Sequence, residues 1–344
     1  MKNKIAIASA FLAASSFSMG EIVVNDFLSF EGFVDSSYTH TDIDQGQSGV
    51  SSDNSNGFGV DQVEISWLFN FDTVTAQIDL QYEGDDEGKD GDDGDLVEQA
   101  FVNFALGNGD VATAGRYASM LGFEAFEPTG LYQFSTAYSA SGLPGYAQGV
   151  KFTRESNTSF FGLSIQDEAF DVDSDDNNLS SSSYAIEAAY AQDLGNGFAV
   201  FIGGAFEDAD AGDTYIVNAY TTYETGAWLF AAEVNFGNSE NGAFDITDAY
   251  DIIAADVTGN DVDVMSGLVM ANYAYSDDSS VTARLSYEEV EGTTDADITK
   301  YTLAHNKALA DNLALIVELS YADADINDID IDGSEVAVEL LFTF

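Results

Sequence analysis

Basic residues are what this chain has least of: 9 Lys or Arg stand against 61 Asp or Glu in 344 residues, a formal net charge of −52. Nucleic acids and anionic membrane surfaces are bound through clusters of Lys and Arg, so both are excluded as partners and cations are the natural counter-species. Cysteine is absent and histidine occurs twice. His40 opens a loop and His305 lies near a strand end, so no nucleophile has a base beside it and there is no case for an enzyme. A glycosidase-type carboxylate pair carries no information among so many carboxylates. After Gly20 no run approaches the roughly 20 apolar residues of a spanning helix, which excludes a helical membrane protein. The chain is not a disordered acidic tail either, because 45% of it is hydrophobic and 13% aromatic, enough to build a folded structure.

What is present begins with the first twenty residues. Lys2 and Lys4 form a positive n-region, Ile5 to Phe17 an apolar h-region, and Ser18-Met19-Gly20 a small-x-small cleavage site, the pattern of an export signal. The reading is therefore a signal peptide over 1–20 and a mature chain over 21–344.

Beyond it the dominant period is two. Val74, Ala76, Ile78, Leu80 and Tyr82 alternate with Thr75, Gln77, Asp79 and Gln81, which puts the apolar side chains on one face of a strand. The same alternation returns in Val63/Ile65/Trp67/Phe69, Trp228/Phe230/Ala232/Val234/Phe236, Leu313/Leu315/Val317/Leu319/Tyr321 and Val336/Val338/Leu340/Phe342/Phe344, among others, with mostly polar or small residues on the second face. Sixteen strands result, joined alternately by short turns and by eight longer, mostly acidic segments. An even strand count, short turns on one side and longer loops on the other predict an all-β transmembrane antiparallel β-barrel, with periplasmic turns and long acidic external loops. Tyr82, Tyr190, Tyr223, Tyr287 and Tyr321 stand at strand ends, where amphipathic rings form interfacial girdles. A soluble sandwich also alternates, but two prolines, the polar second face and the terminal Phe344 weigh against it.

Signal sequence, amphipathic strands and a last strand ending in Phe344 resemble Gram-negative porins. The segments DQVEISWLFNF, EQAFVNF and AGRYASMLGFE are similar to the β-barrel porin family described as OmpL-like. That resemblance implies an outer-membrane location, assembly by the barrel-insertion machinery, passive diffusion of small hydrophilic solutes and ions, and a homotrimer. It also implies a third external segment, here 119–145, that folds inward to narrow the pore.

If apolar strand faces meet lipid, alternation turns Arg116, Lys151, Arg284 and Lys300 into the lumen. Avoidance of lipid alone accounts for that facing, since a mid-membrane cation costs about 2–4 kcal/mol. Glu124 and Glu127 of the third segment would then face these cations across a constriction and set a transverse field. Glu31, Asp35, Glu64, Asp79, Glu187, Glu233, Glu318 and Glu339 also point inward, which predicts a negative lumen and cation preference. Alternatives are a structural or adhesive barrel with a blocked lumen, and a sugar-selective porin using Phe123, Phe126, Tyr132 and Phe134 as a stacking slide.

No cofactor is required. The stretch DIDIDGSEVAVE matches the carboxylate spacing of a calcium loop, but its second half alternates as a strand. Asp328, Asp330 and Asp332 are left as a weak surface cation site. The tracts EGDDEGKDGDDGD and DVDSDDNN are solvated loops or Ca2+/Mg2+ bridges to lipopolysaccharide, which with outer-membrane lipid, polar solutes and cations completes the expected partners.

Overall fold

A computed structural model describes residues 20–45, 53–83, 96–138, 142–170, 184–209, 212–240, 261–292, 295–326 and 329–344. The signal segment, apart from Gly20, and both acidic tracts, apart from Glu83, lie outside them. A short strand β1 (Ile22–Asn25) is followed by β2 (Leu28–Gln45), β3 (Asp53–Phe71), β4 (Val74–Glu83), β5 (Val97–Gly107), β6 (Asp110–Ala118), β7 (Tyr146–Glu155) and β8 (Ser159–Gln166). The second half comprises β9 (Tyr184–Gly195), β10 (Phe198–Ala209), β11 (Gly212–Thr225), β12 (Trp228–Ser239), β13 (Val262–Ser276), β14 (Ser279–Glu291), β15 (Ala296–Ala310), β16 (Leu313–Ile326) and β17 (Ile329–Thr343). Each of β2 to β17 pairs antiparallel with the next, and β17 pairs with β2 from Ile331↔Gln45 to Thr343↔Phe33, closing a sixteen-stranded barrel.

Closure removes every free sheet edge, as hydrocarbon demands. The seam is finished by the terminal residue: Phe344 N–H donates to Gly32 O at 2.9 Å and Gly32 N–H to Phe344 O at 2.8 Å. β1 then pairs with the start of β2, Ile22 opposite Phe30. Gly32 cannot be larger, because a Cβ there would sit 2.3 Å from the Glu64 carbonyl oxygen and 2.8 Å from the Phe344 ring. Tight turns shape the periplasmic rim. Asn108-Gly109 and Asn196-Gly197 both hold positive φ at both residues, as two-residue hairpins matching strand twist require. Above them aromatic rings stack on the outer wall, Phe198 on Tyr223 at 4.1 Å and Trp228 on Tyr273 at 4.4 Å.

Two features depart from simple alternation. First, strands run further into several external segments than expected. Only 210–211, 293–294 and 327–328 fall outside the described residues at three of these tips, and β2 and β3 are 18 and 19 residues long, well beyond the roughly 9–11 needed to span. Secondly, the facing inverts there. Asp323, Asp325, Asp330 and Asp332 are exposed, whereas Ala324, Ile326 and Ile331 are buried inward. Above the lipid band the outer wall meets water, so carboxylates turn out and apolar side chains turn in. Polar outward residues leave the backbone ladder intact, which is why these strands read as loops from hydropathy. Asp330 and Asp332 are therefore strand residues, and Asp332 accepts a hydrogen bond from the Tyr321 hydroxyl; Asp328 lies outside the described residues.

Candidate functional site

The inner wall is polar only in part. In the external half Val262, Val264, Leu268, Met270, Val290 and Ile298 are buried and belong to one apolar cluster with Leu121 and Phe123. Those last two residues belong to the third external segment, whose described part forms no strand and only one 3-10 turn, Pro128–Gly130. A segment without a ladder must satisfy its backbone elsewhere, and this one does so on polar side chains of the inner wall.

Glu187 on β9 accepts from Met120 N–H at 2.5 Å and from Ser119 Oγ at 3.0 Å. Asn218 on β11 accepts from Gly122 N–H at 3.2 Å, and Glu233 on β12 from Phe123 N–H at 2.7 Å and the Tyr138 hydroxyl at 3.1 Å. Glu318 on β16 takes Phe134 N–H at 2.8 Å, Ser135 N–H at 3.1 Å and Ser135 Oγ at 2.5 Å. Carbonyls of the segment are answered in turn: Tyr132 O by Thr282 and Asn306, Ser135 O by Arg284, Thr136 O by Arg284 and Lys300, Ala137 O by Ser286. Bonds from backbone N–H to a carboxylate are among the stronger kinds. Wall carboxylates thus hold the segment inside the barrel.

The segment's own Glu124 is closed by an ion pair. Arg284 Nη1 donates to Glu124 Oε1 at 2.5 Å, with side-chain exposures of 0% and 12%. Glu124 also accepts from Gln133 and from Ala137 N–H. The expected arrangement of Glu124 facing Arg284 across open water is therefore not found; the two are in contact. Burial, followed by the fields of Glu233 and Glu124, pushes the Tyr138 hydroxyl far above its usual range, so it remains a donor.

Arg116 is a second correction. Its cross-strand neighbours are Ala100 and Gln148, and Ala114, two residues before it, lies on the outer wall beside Val102 and Val150. Arg116 therefore faces outward, and its Nε donates to the Glu98 main-chain oxygen at 3.0 Å. Tyr117 turns inward in its place, 2% exposed, sharing a hydrogen bond with Ser164 at 2.8 Å. The apolar-out assumption fails here because Tyr117 has a polar partner inside and a ring useful to a cation: Lys151 Nζ lies 4.2 Å from its centroid. Lys151 lines a cavity of about 640 Å³ beneath the segment, with Glu124, Phe126, Glu155, Phe160 and Phe201. Lys300 is buried against Thr136 O at 3.2 Å.

Glu127 goes elsewhere. It reaches the opposite wall, where Gln62 Nε2 donates to it at 3.2 Å and the Tyr146 hydroxyl at 3.2 Å. There it meets Glu64 on β3 and Glu98 on β5, one carboxylate oxygen of each lying within 4.8 Å of the other two. Alternation places Glu98 outward, since Gln99 bonds inward to Asp79. A bulge intervenes: Asp79 pairs with Gln99 and Leu80 with Val97, so Glu98 is the extra residue, turned in and 4% exposed. The irregular opening VEQ at 97–99 is the one sequence signal for it.

Of the other inward carboxylates, Asp35 and Glu339 are 4% and 1% exposed, and each keeps one buried oxygen without a hydrogen-bond partner. Asp79 is bonded to Gln77 and Gln99, and Glu31 is half-buried. Of the four loop aromatics, Phe123 is buried against Tyr220, whereas Phe126 is 43% exposed beside Tyr146, so these two do not share one face.

A closed sixteen-stranded barrel with an external segment bonded across its interior defines the class: a porin-type barrel of the bacterial outer membrane. The chain belongs, over residues 28–344, to the family described as "Putative beta-barrel porin-2, OmpL-like", a family of channels and not of enzymes. Its fold is similar to those of solved porins. The anion-selective porin from Comamonas acidovorans matches with a TM-score of 0.66 and 14% identity, over 92% of this chain and 99% of that one. The outer membrane channel DcaP of Acinetobacter baumannii matches with 0.66 and 13%, over 92% and 97%. The trimer form of OmpT from Vibrio cholerae matches with 0.60 and 14%, over 92% and 99%. No curated protein matches the chain.

Proposed function

We propose that the chain is a passive diffusion channel for small hydrophilic solutes and inorganic ions, with a preference for cations, and that the third external segment, 119–145, is its constriction. The observation that carries this reading is that segment's attachment to Glu187, Glu233, Arg284 and Glu318 on the inner wall, with a mixed polar and aromatic cavity left beneath it. Lumen carboxylates outnumber lumen cations, and field focusing in a narrow low-dielectric passage favours the counter-ion. Lys151 is the cation on the cavity wall and Glu155 the carboxylate near its mouth. Reversal potentials in a planar bilayer under a KCl gradient test the preference: potassium should be favoured over chloride, and Lys151→Glu should strengthen that bias. Chloride preference in the wild-type channel overturns it.

The mature chain starts after Gly20 in this reading, and it assembles as a homotrimer. Support for the trimer comes from the outer wall of β5 to β8, where Ala112 and Ala114 leave a groove walled by Val102, Phe104, Val150 and Phe152, and from the trimer form of the Vibrio cholerae relative. A second reading, a structural barrel with a blocked lumen, is favoured by the apolar cluster that packs Leu121 and Phe123 against the inner wall. Absence of any single-channel conductance from folded protein would select it.

A further inference from the structure

The junction of Glu127 with the wall holds three carboxyl groups where a loop anchor would ordinarily use a cation or a neutral donor. Glu64 is 5% exposed and Glu98 4% exposed, and Glu64 Oε2 is buried with no hydrogen-bond partner. Glu64 Oε1 is answered by Ser66 Oγ at 2.7 Å. Carboxyl groups gathered out of water repel one another when ionised, so the cluster needs a proton or a cation among them.

Carboxylate oxygens suit a hard cation, and calcium takes them at about 2.3–2.6 Å in flexible geometry, whereas magnesium demands a near-ideal octahedron at about 2.0–2.1 Å. Oxygens within 4.8 Å of one another, drawn from two strands and an irregular segment, suit the more tolerant ion. Glu127 is only half-buried, which leaves an approach for the ion and for the waters completing its shell. We propose that Glu64, Glu98 and Glu127 form a Ca2+ site that clamps the inserted segment to β3 and β5. The assignment goes beyond the channel reading and stands whether or not the barrel conducts.

The groups facing Glu127 are Glu64 and Gln62 from β3, Glu98 from β5 and Tyr146 from β7, with Asp79 on β4 the next carboxylate beside Glu98. The site differs from adventitious surface sites in its ligands: Glu64 and Glu98 are buried, whereas Asp330 and Asp332 are exposed.

The experiment is calcium titration of EDTA-stripped, folded protein by calorimetry at pH 7, with terbium luminescence as a second probe. One calcium per chain should bind at least tenfold more tightly than the rest. Glu64→Gln and Glu127→Gln should abolish that equivalent, whereas Asp330→Asn with Asp332→Asn should leave it. Terbium in the tight site should be sensitised by Tyr146, and Tyr146→Phe should lose that emission while keeping calcium binding. Heat-modifiable migration on gels verifies that each variant is folded; if a Gln variant does not fold, wild-type stoichiometry and Tyr146→Phe carry the test. The proposal is overturned if no tight calcium appears, if it survives in the folded Gln variants, or if terbium emission is unchanged in Tyr146→Phe.

Discussion

Two carboxylates three residues apart on one segment anchor it to opposite walls by opposite means. Glu124 meets Arg284 at 2.5 Å and two further donors, Gln133 and Ala137 N–H. Glu127 meets Gln62, Tyr146 and two more carboxylates. The first junction closes its charge within the protein. The second depends on what the solution supplies, a proton or a cation. The segment's two attachments therefore differ, that at Glu124 being insensitive to solution conditions and that at Glu127 responding to them.

The strongest way to break that contrast is to remove Arg284. Its guanidinium also answers Ser135 O, Thr136 O and Thr302 Oγ1. Arg284→Met would leave Glu124 and these carbonyls buried without their donor, and breaking a buried pair in this way costs about 3–5 kcal/mol. We expect a clear fall in the temperature at which the folded band is lost on gels, together with large, noisy fluctuations in single-channel current as the segment loses its fixed position. Quiet channels of wild-type conductance would show that the β9 and β16 contacts suffice alone.

A smaller effect is expected at the other junction, and its sign is fixed by Glu127. Its folded value is raised to about 10, by burial and then by Glu64 and Glu98, whereas an unfolded glutamate titrates near 4.3. A carboxyl raised on folding contributes stability that is complete below its unfolded value and is lost as pH rises through the folded one. In chelator, channel noise should therefore grow steadily from about pH 5 toward pH 10, and Glu127→Gln should flatten that profile. A pH-independent wild type, or a Gln variant with the same slope, would remove Glu127 as its source.

Much of this was legible in the sequence, for a physical reason. Hydrocarbon on one face and polar contacts on the other write the barrel into a period of two, and the closing strand from Val336 to Phe344 shows it directly. Where a strand leaves lipid the rule inverts, so DIDIDG reads as a loop, whereas from Ile329 on it is a strand with its isoleucines inside. Where the inside offers a tyrosine a partner, the rule fails, and Arg116 exchanges faces with Tyr117. A single bulge residue breaks the parity that would have kept Glu98 on the outer wall, and so brings it in beside Glu64. Glu124 and Glu127 stood out on loop order, but which would meet a cation depends on the path of a segment with no periodicity, and no local pattern encodes that path.

The smallest expected effect comes from a pair with the same contact distance as Arg284 and Glu124. In the turn between β13 and β14, Asp278 accepts from Lys307 Nζ at 2.5 Å, with side-chain exposures of 52% and 36%. Hydrogen bonds from Lys307, Ser276 and Ser279 hold the Asp278 carboxyl well below the usual carboxylate range. That depression favours the folded state above the ordinary aspartate value and is lost as pH falls, but water and salt screen an exposed pair and side-chain ordering opposes it. Asp278→Asn should therefore change neither the unfolding temperature on gels nor the conductance beyond experimental error, at low or high salt. Side by side with Arg284→Met, it separates distance from burial: if Asp278→Asn proved as disruptive, proximity of opposite charges alone would govern these contacts, and the exclusion of water around Arg284 would not be what fixes the segment in the lumen.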